Sequence, residues 1–383
     1  MTTFLIYLVL ILGIVALVQL IRVSEISNFL NGEDGIMVTD KETNNIRYMF
    51  VAFFAAFIGF YGWLVWRFWD ILLPAAASEH GKAIDTLMNL NIALITIVFV
   101  ALHIVLSYFL FRYAKTKNEK ATFNTHSNKL ELIWTITPAV FLAGIIIFGI
   151  SAWNDAMRNV PEDAINIELY ARQFDWTARY AGKDNVLGKA NFRMINGTNA
   201  LGIINEKSIN DRLSAYNEKI AELEESRKSV FPGGTNDQEI LEEITLQKKH
   251  RAYIEQLQAQ NNVESYSVAD DDILAKVEFH IPINKPINFQ IRSQDVIHSA
   301  YMPHFRAQMN AVPGMMTQFY FTPTMTTEQM RAKLGNPDFN YILLCNKICG
   351  AAHYNMQMNI VVESEEDYNK WLSEQPKFFT AEK

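Results

Sequence analysis

The sequence predicts a membrane-anchored all-β protein: N-terminal transmembrane helices, then an outer β-barrel or sandwich carrying an inserted helical hairpin. Three observations lead there. Long uncharged runs are confined to the first 154 of 383 residues, alternating apolar and polar residues take over beyond them, and one polar stretch at 205–262 has helical spacing instead. Hydrophobic residues make up 50 % of the chain and charged residues 20 %, which excludes a disordered polymer and leaves room for two or three structural units.

The spans come first. Uncharged runs at 1–21, 48–66, 86–111 and 132–154 are each long enough to cross about 30 Å of hydrocarbon as a helix. Two spans with their loops are expected in 1–85 and a transmembrane hairpin in 86–154. A signal peptide is the alternative for the first run, but that run lacks a positive leading region and a small-residue cleavage site, so its retention is expected. The third loop holds Arg112, Lys115, Lys117, Lys120 and Lys129, and the first holds Arg22, Lys41 and Arg47, whereas the second offers Arg67 and Lys82. Positive charge collects on the cytoplasmic side, so loops one and three face the cytoplasm and residues 155–383 form an outer domain. His103, inside the third span, is expected to hydrogen-bond a neighbouring helix.

Charge divides at the same boundary. Residues 1–154 contain ten Lys and Arg against ten Asp and Glu, and 155–383 contain 24 against 31, so the formal charge of −7 belongs to the outer part. An acidic surface argues against nucleic acid and suits a cationic protein partner. Within this part Ile165, Ile167, Leu169 and Ala171 alternate with polar neighbours, as do Val277, Phe279 and Ile281, then Ile287, Phe289 and Ile291, then Phe319 and Phe321, then Met358, Ile360 and Val362. These read as strands of an antiparallel sandwich or barrel, with breakers at Asn284-Lys285-Pro286 and Val312-Pro313-Gly314. Leu213, Tyr216, Ile220 and Leu223, and later Ile240, Ile244, Ile254 and Leu257, have helical spacing around the break Phe231-Pro232-Gly233-Gly234. The expected hairpin at 205–262 is either a solvated protrusion or a docking arm.

The chemistry is concentrated near the C-terminus. Cys345 and Cys349, the only cysteines, share twelve residues with His353 and Met356, and His298 lies upstream after Asp295. Thiolate, imidazole and thioether form the ligand set of copper electron-transfer sites, because soft sulfur stabilises Cu(I) while nitrogen serves both oxidation states. Two thiolates and two imidazoles can serve two ions, with each sulfur bridging and each ion taking one histidine. A disulfide or a Cys2His2 zinc site are the alternatives, and neither gives Met356 a role.

Leu130-Glu131-Leu132-Ile133-Trp134-Thr135-Ile136-Thr137-Pro138, Asp295-Val296-Ile297-His298-Ser299, Ala311-Val312-Pro313-Gly314 and the Cys-x3-Cys-x3-His-x2-Met run occur in the order found in subunit II of cytochrome c oxidases. The resemblance covers roughly 86–195 and 274–365. It implies a cupredoxin-like Greek-key barrel behind a two-helix anchor, holding a binuclear copper (CuA) centre. By motif, the metal ligands would be His298, Cys345, Cys349, His353, Met356 and the backbone carbonyl of Lys347. Glu131 matches a glutamate near the mouth of a proton path, and Phe174 and Trp176 fall where electrons enter. The first two spans are additional to the family pattern.

The departures are informative. Lys347 stands where the family has a glutamate that also helps hold Mg2+, and Asn310 stands where an aspartate is common, so no Mg2+ ligand is predicted. Gln173-Phe174-Asp175-Trp176 replaces Gln-Trp-x-Trp, and Arg179 replaces an acid, which points instead to Asp270, Asp271 and Asp272 for donor docking. The family implies electron transfer from a c-type cytochrome to haem in subunit I, in a bacterial plasma membrane with the copper domain on the periplasmic side. Subunit I and other oxidase subunits would be partners in the lipid bilayer, with haem held only by the partner. The copper subunit of a nitric oxide reductase and a membrane-tethered copper carrier are the alternative functions.

Overall fold

The structure, a computed structural model, describes residues 2–30, 39–114, 123, 125–158, 160–261 and 263–378, with the side chains of 2–10, 24, 25, 28–30, 263 and 264 outside that description. Four helices open the chain: α1 (Thr2–Leu30), α2 (Asp40–Phe68), α3 (Glu79–Arg112) and α4 (Asn128–Met157). The last three are long and apolar enough to cross a membrane. In α1 the described apolar stretch is Ile11–Val23, and the rest of the expected first span falls largely outside the described side chains, as do Lys115, Lys117 and Lys120. A capping box sets the start of α2, because Thr39 Oγ1 accepts from the Glu42 N–H while the Glu42 carboxylate accepts from the Thr39 N–H.

Two compact units result, one of residues 1–72 and 92–134, the other of 73–91 and 135–383. In the first, α2 and α3 meet through aromatic side chains, and the Tyr61 hydroxyl lies 2.7 Å from Thr96 Oγ1. His103 packs against Phe54, Phe57 and Phe99. Its Nδ1 lies 2.7 Å from the Phe99 carbonyl of its own helix, so the expected bond to a neighbouring helix is replaced by an intrahelical one.

The second unit is a β-sandwich of two five-stranded sheets. The first sheet has the order β3 (Ile273–Ala275), β2 (Asp175–Tyr180), β1 (Ile165–Arg172), β5 (Ile287–Ser293), β8 (Thr317–Phe321). The second has β4 (Glu278–Pro282), β10 (Gln357–Glu363), β9 (Tyr341–Cys345), β6 (His298–Met302), β7 (Ala307–Ala311). Short helices α8 (Thr327–Leu334) and α9 (Glu365–Glu374) flank them. The expected antiparallel sandwich is corrected at two places, since β1 pairs β5 and β10 pairs β4 in parallel. Neither pair is consecutive in sequence, so a long crossover can return the chain in the same direction. Trp176, Phe279, Phe289, Phe305, Phe321 and Tyr341 fill the interior. Val277, expected to point inward, is 79 % exposed just before β4 begins.

The unit also reaches back into the sequence. Ala77 N donates to the His304 carbonyl at 2.7 Å, Ser78 Oγ donates to the Phe305 carbonyl at 2.7 Å, and Asp85 pairs with Arg306. These bonds hold residues 73–91 in the same compact unit as the sandwich.

The insertion forms as its periodicity predicts: α5 (Glu206–Arg227) and α6 (Thr235–Gln260) pair, followed by the short α7 (Val263–Ser267). Asn205 caps α5, and Tyr216, Ile220, Ile244, Ile254 and Leu257 are buried. Its root covers the outer face of the first sheet, where Leu201, Ile203 and Ala269 bury Tyr170. That cover explains why β1 and β2 are buried on both faces although their sequences alternate.

Candidate metal centre

The centre is assembled from the ends of neighbouring strands. Cys345 closes β9, His298 opens β6, and these strands pair through Ala300 opposite Cys345. The loop between β9 and β10 is fastened at both ends, as Cys345 N donates to the Met356 carbonyl and Asn346 N to the Ser299 carbonyl, each at 3.0 Å. A 3-10 turn over His353–Asn355 then brings Met356 back under the loop.

The expected side chains converge. Cys345 Sγ lies 3.9 Å from Cys349 Sγ and 3.8 Å from His298 Nδ1. Cys349 Sγ lies 3.6 Å from His353 Nδ1 and 3.8 Å from Met356 Sδ. The Lys347 carbonyl is 3.2 Å from Cys345 Sγ, and the Lys347 side chain is exposed. Each sulfur therefore has its own imidazole, with a thioether beside one and a carbonyl beside the other. Both thiols are free.

A supporting layer fixes these groups. His298, fully buried, has its Nε2 2.8 Å from Asp295 Oδ1, which leaves Nδ1 facing the sulfur. Asp295 also accepts from the Gln173 backbone N–H at 2.7 Å, and Gln173 Nε2 donates to the Cys349 carbonyl. Burial opposes ionisation of Asp295, but the donors from His298, Gln173 and Val296 outweigh it and hold its carboxyl below the ordinary value. Gln173 thus ties the β1–β2 turn to the cysteine loop, a role that no spacing in the sequence announces.

Phe174 follows in that turn. It is 36 % exposed, and its ring lies so close to Gly350 that a Cβ there would sit 2.8 Å from it. Trp176 is fully buried, with its ring centroid 6.2 Å from that of His298. Of the two expected entry residues, only Phe174 reaches the surface.

The acidic residues are placed differently from expectation. Asp272 is fully buried, with Oδ2 accepting from Arg179 Nη1 at 2.7 Å. Arg179 is itself buried, and it also donates to the Gly188 carbonyl at 2.8 Å and to Glu168, which in turn binds Arg292. Asp271 is half-buried and accepts from the Lys183 N–H at 2.7 Å, while exposed Asp270 accepts from Asn205 Nδ2 at 2.9 Å. Asp270, Asp271 and Asp272 therefore form no continuous surface patch, because Asp272 points into the interior and only Asp270 is exposed. Arg179 lies inside the same ion network and does not modify a docking surface. Glu131 stands at the start of α4 in an exposed pair with His126, Oε1 to Nδ1 2.8 Å.

The donor set fits copper. Burial, then the neighbouring Cys345, push the Cys349 thiol up to about 11, so two ionised thiols in this space require added positive charge. His298, Cys345 and Cys349 present ligand atoms within 4.8 Å of one another, and sulfur with imidazole and thioether selects a soft, redox-active metal.

Residues 67–151 match the family model of the cytochrome C oxidase subunit II transmembrane domain, and residues 252–365 match that of its periplasmic domain. The chain is 28 % identical over 295 residues to the alternative cytochrome c oxidase subunit 2 of Bradyrhizobium diazoefficiens, covering 77 % of this chain and 81 % of that protein. It is 25 % identical over 301 residues to cytochrome c oxidase subunit 2 of Cereibacter sphaeroides, covering 79 % and 77 %. The solved periplasmic domain of subunit II of cytochrome oxidase from Bradyrhizobium japonicum is similar over 56 % of this chain and 95 % of that one, at 17 % identity and a TM-score of 0.28, too distant to add to the two family matches. With its membrane-spanning and periplasmic portions both matched, and in that order, this chain belongs to the cytochrome c oxidase subunit II family.

Proposed function

We propose that this chain is the electron-accepting subunit of an oxygen-reducing haem-copper oxidase, with a binuclear copper (CuA) centre held by His298, Cys345, Cys349, His353, Met356 and the Lys347 carbonyl. It takes single electrons from a c-type cytochrome and delivers them to haem in subunit I, in a bacterial plasma membrane with the centre on the periplasmic side. One observation carries the reading: two sulfurs 3.9 Å apart, each with a separate imidazole nitrogen within 3.8 Å. Bound copper supplies one-electron redox chemistry at potentials that a polypeptide alone cannot reach.

The chain's own residues hold and shield that centre. His298, Cys345, Cys349 and Met356 are buried, which keeps water out and opposes metal exchange, so the arrangement suits a relay better than a carrier. Asp295 and Gln173 fix the orientation of His298 and the loop. Phe174 covers the loop from the surface side and is the proposed entry point, with buried Trp176 packing behind His298. Glu131 is assigned to the mouth of a proton path. The negative charge of the outer domain steers a cationic donor, while the geometry of 270–272 argues against that segment as the contact itself.

Rapid mixing of the copper-loaded oxidase with a reduced c-type cytochrome tests this reading. The second-order rate is expected to fall steeply with added salt, and Cys349→Ser is expected to abolish electron acceptance while the helices and sandwich remain folded. Undiminished electron acceptance by Cys349→Ser would rule out the proposed centre.

A further inference from the structure

In the unit of residues 1–72 and 92–134, the cytoplasmic ends of α2 and α3 enclose a cleft of about 300 Å³. Ile46, Arg47 and Phe50 line it from α2, and Leu106, Phe109 and Leu110 from α3. Spacings of three and four residues place each trio on one stripe of its helix. Arg47 sits toward the helix ends, level with Ala114, while Phe50 lies about one turn and Leu106 about two turns deeper toward the hydrocarbon. The cleft is therefore cationic at its outer end and apolar at its inner end.

Arg47 is held in place and does not reach freely for water. Its Nη1 donates to Asn44 Oδ1 at 3.2 Å, its Nη2 donates to the Ala114 carbonyl at 3.1 Å, and its guanidinium carbon is 5.5 Å from the centroid of the Phe111 ring. Among the described residues no carboxylate lies within ion-pair distance of it, and its Nε is buried without a hydrogen-bond partner. A guanidinium has five donor hydrogens, and the two bonds to Asn44 and Ala114 leave the rest. A fixed cation at the membrane interface attracts an anion, and the apolar wall selects one with a hydrocarbon tail.

We infer that this cleft binds an anionic phospholipid of the cytoplasmic leaflet, with the phosphate against Arg47 and an acyl chain along Phe50 and Leu106. Free phosphate would gain nothing from the inner wall. Residues 40–66 of α2 lie outside the matched family region, so the site is made partly by a helix that the family match does not include.

The test uses the full chain in its purified complex, exchanged into vesicles of phosphatidylglycerol and phosphatidylcholine and then examined by native mass spectrometry. Wild type is expected to retain a phosphatidylglycerol that phosphatidylcholine does not replace. Loss of a charge-assisted phosphate contact in Arg47→Gln is expected to lower its occupancy at least about tenfold. Leu106→Trp, which fills the cleft and leaves the charge, is expected to do the same, whereas Arg47→Lys retains part of the binding. A photoreactive residue replacing Phe109 should crosslink to lipid. Equal retention in Arg47→Gln and Leu106→Trp, displacement by inorganic phosphate, or crosslinking of position 109 to a protein helix would each overturn the proposal.

Discussion

Arg179 shows how one covered residue changes the meaning of its neighbours. Glu168 and Arg179 are paired at full burial, and removing one partner of such a pair costs about 3–5 kcal/mol, so Glu168→Gln is expected to be strongly destabilising. Asp272 behaves differently, because burial outweighs its bonds from Arg179 and the Gly188 N–H and pushes its carboxyl from 3.8 up to about 7. A raised carboxyl favours the protonated folded state, so its contribution to stability is full below pH 3.8 and is lost as pH rises through about 7. The apparent melting temperature of the solubilised chain should therefore decline more between pH 5 and pH 8 in wild type than in Asp272→Asn; parallel profiles would contradict this. The three consecutive aspartates read as a surface patch because nothing local reports that Leu201, Ile203 and Ala269 cover the sheet beneath them. Lys347 is the opposite case, since the carbonyl proposed as a ligand faces Cys345 while its side chain is exposed, so the proposed role does not depend on residue type. Lys347→Gln is expected to keep the copper spectrum and Lys347→Pro to lose it, because proline fixes φ and removes an N–H in a tight loop.

At the scale of elements, the metal loop and the β1–β2 turn act as one assembly. Gly350 has φ of +144°, a conformation that L side chains rarely adopt, and Phe174 and Gln173 leave no room for a Cβ there. Gly350→Ala is therefore expected to displace the loop and accelerate copper release to a chelator, whereas Gly233→Ala, in the open hairpin turn, should leave copper release unchanged. Equal release rates in the two variants would show that the close packing is unimportant. Helix α5 and helix α6 were readable from apolar spacing, and so were five strands with clear alternation. β2, β3, β6, β7 and β9 escaped because they are short, buried on both faces, or interrupted by the residues that serve the site. The parallel pairings were equally hidden, since the direction of a strand's neighbour is set by the path of the whole chain and not by its own period.

For the whole molecule, the membrane and outer parts follow from hydropathy because the two solvents impose opposite compositions. The place of residues 73–85 was less legible: Ala77, Ser78 and Asp85 read as a loop before the third span but bond into the sandwich through His304, Phe305 and Arg306. The convergence of the candidate ligands was the most legible feature, as they are concentrated in one short run plus His298 and meet in the structure within 3.9 Å of a neighbouring sulfur. In the proposed centre the paired sulfurs and separate imidazoles hold two coppers sharing one electron. Copper analysis combined with electron paramagnetic resonance of the complete chain tests that claim most directly. Two coppers per chain and the hyperfine pattern of an electron shared equally between two copper nuclei are expected; one copper with the pattern of a single nucleus, or zinc without a signal, would contradict it.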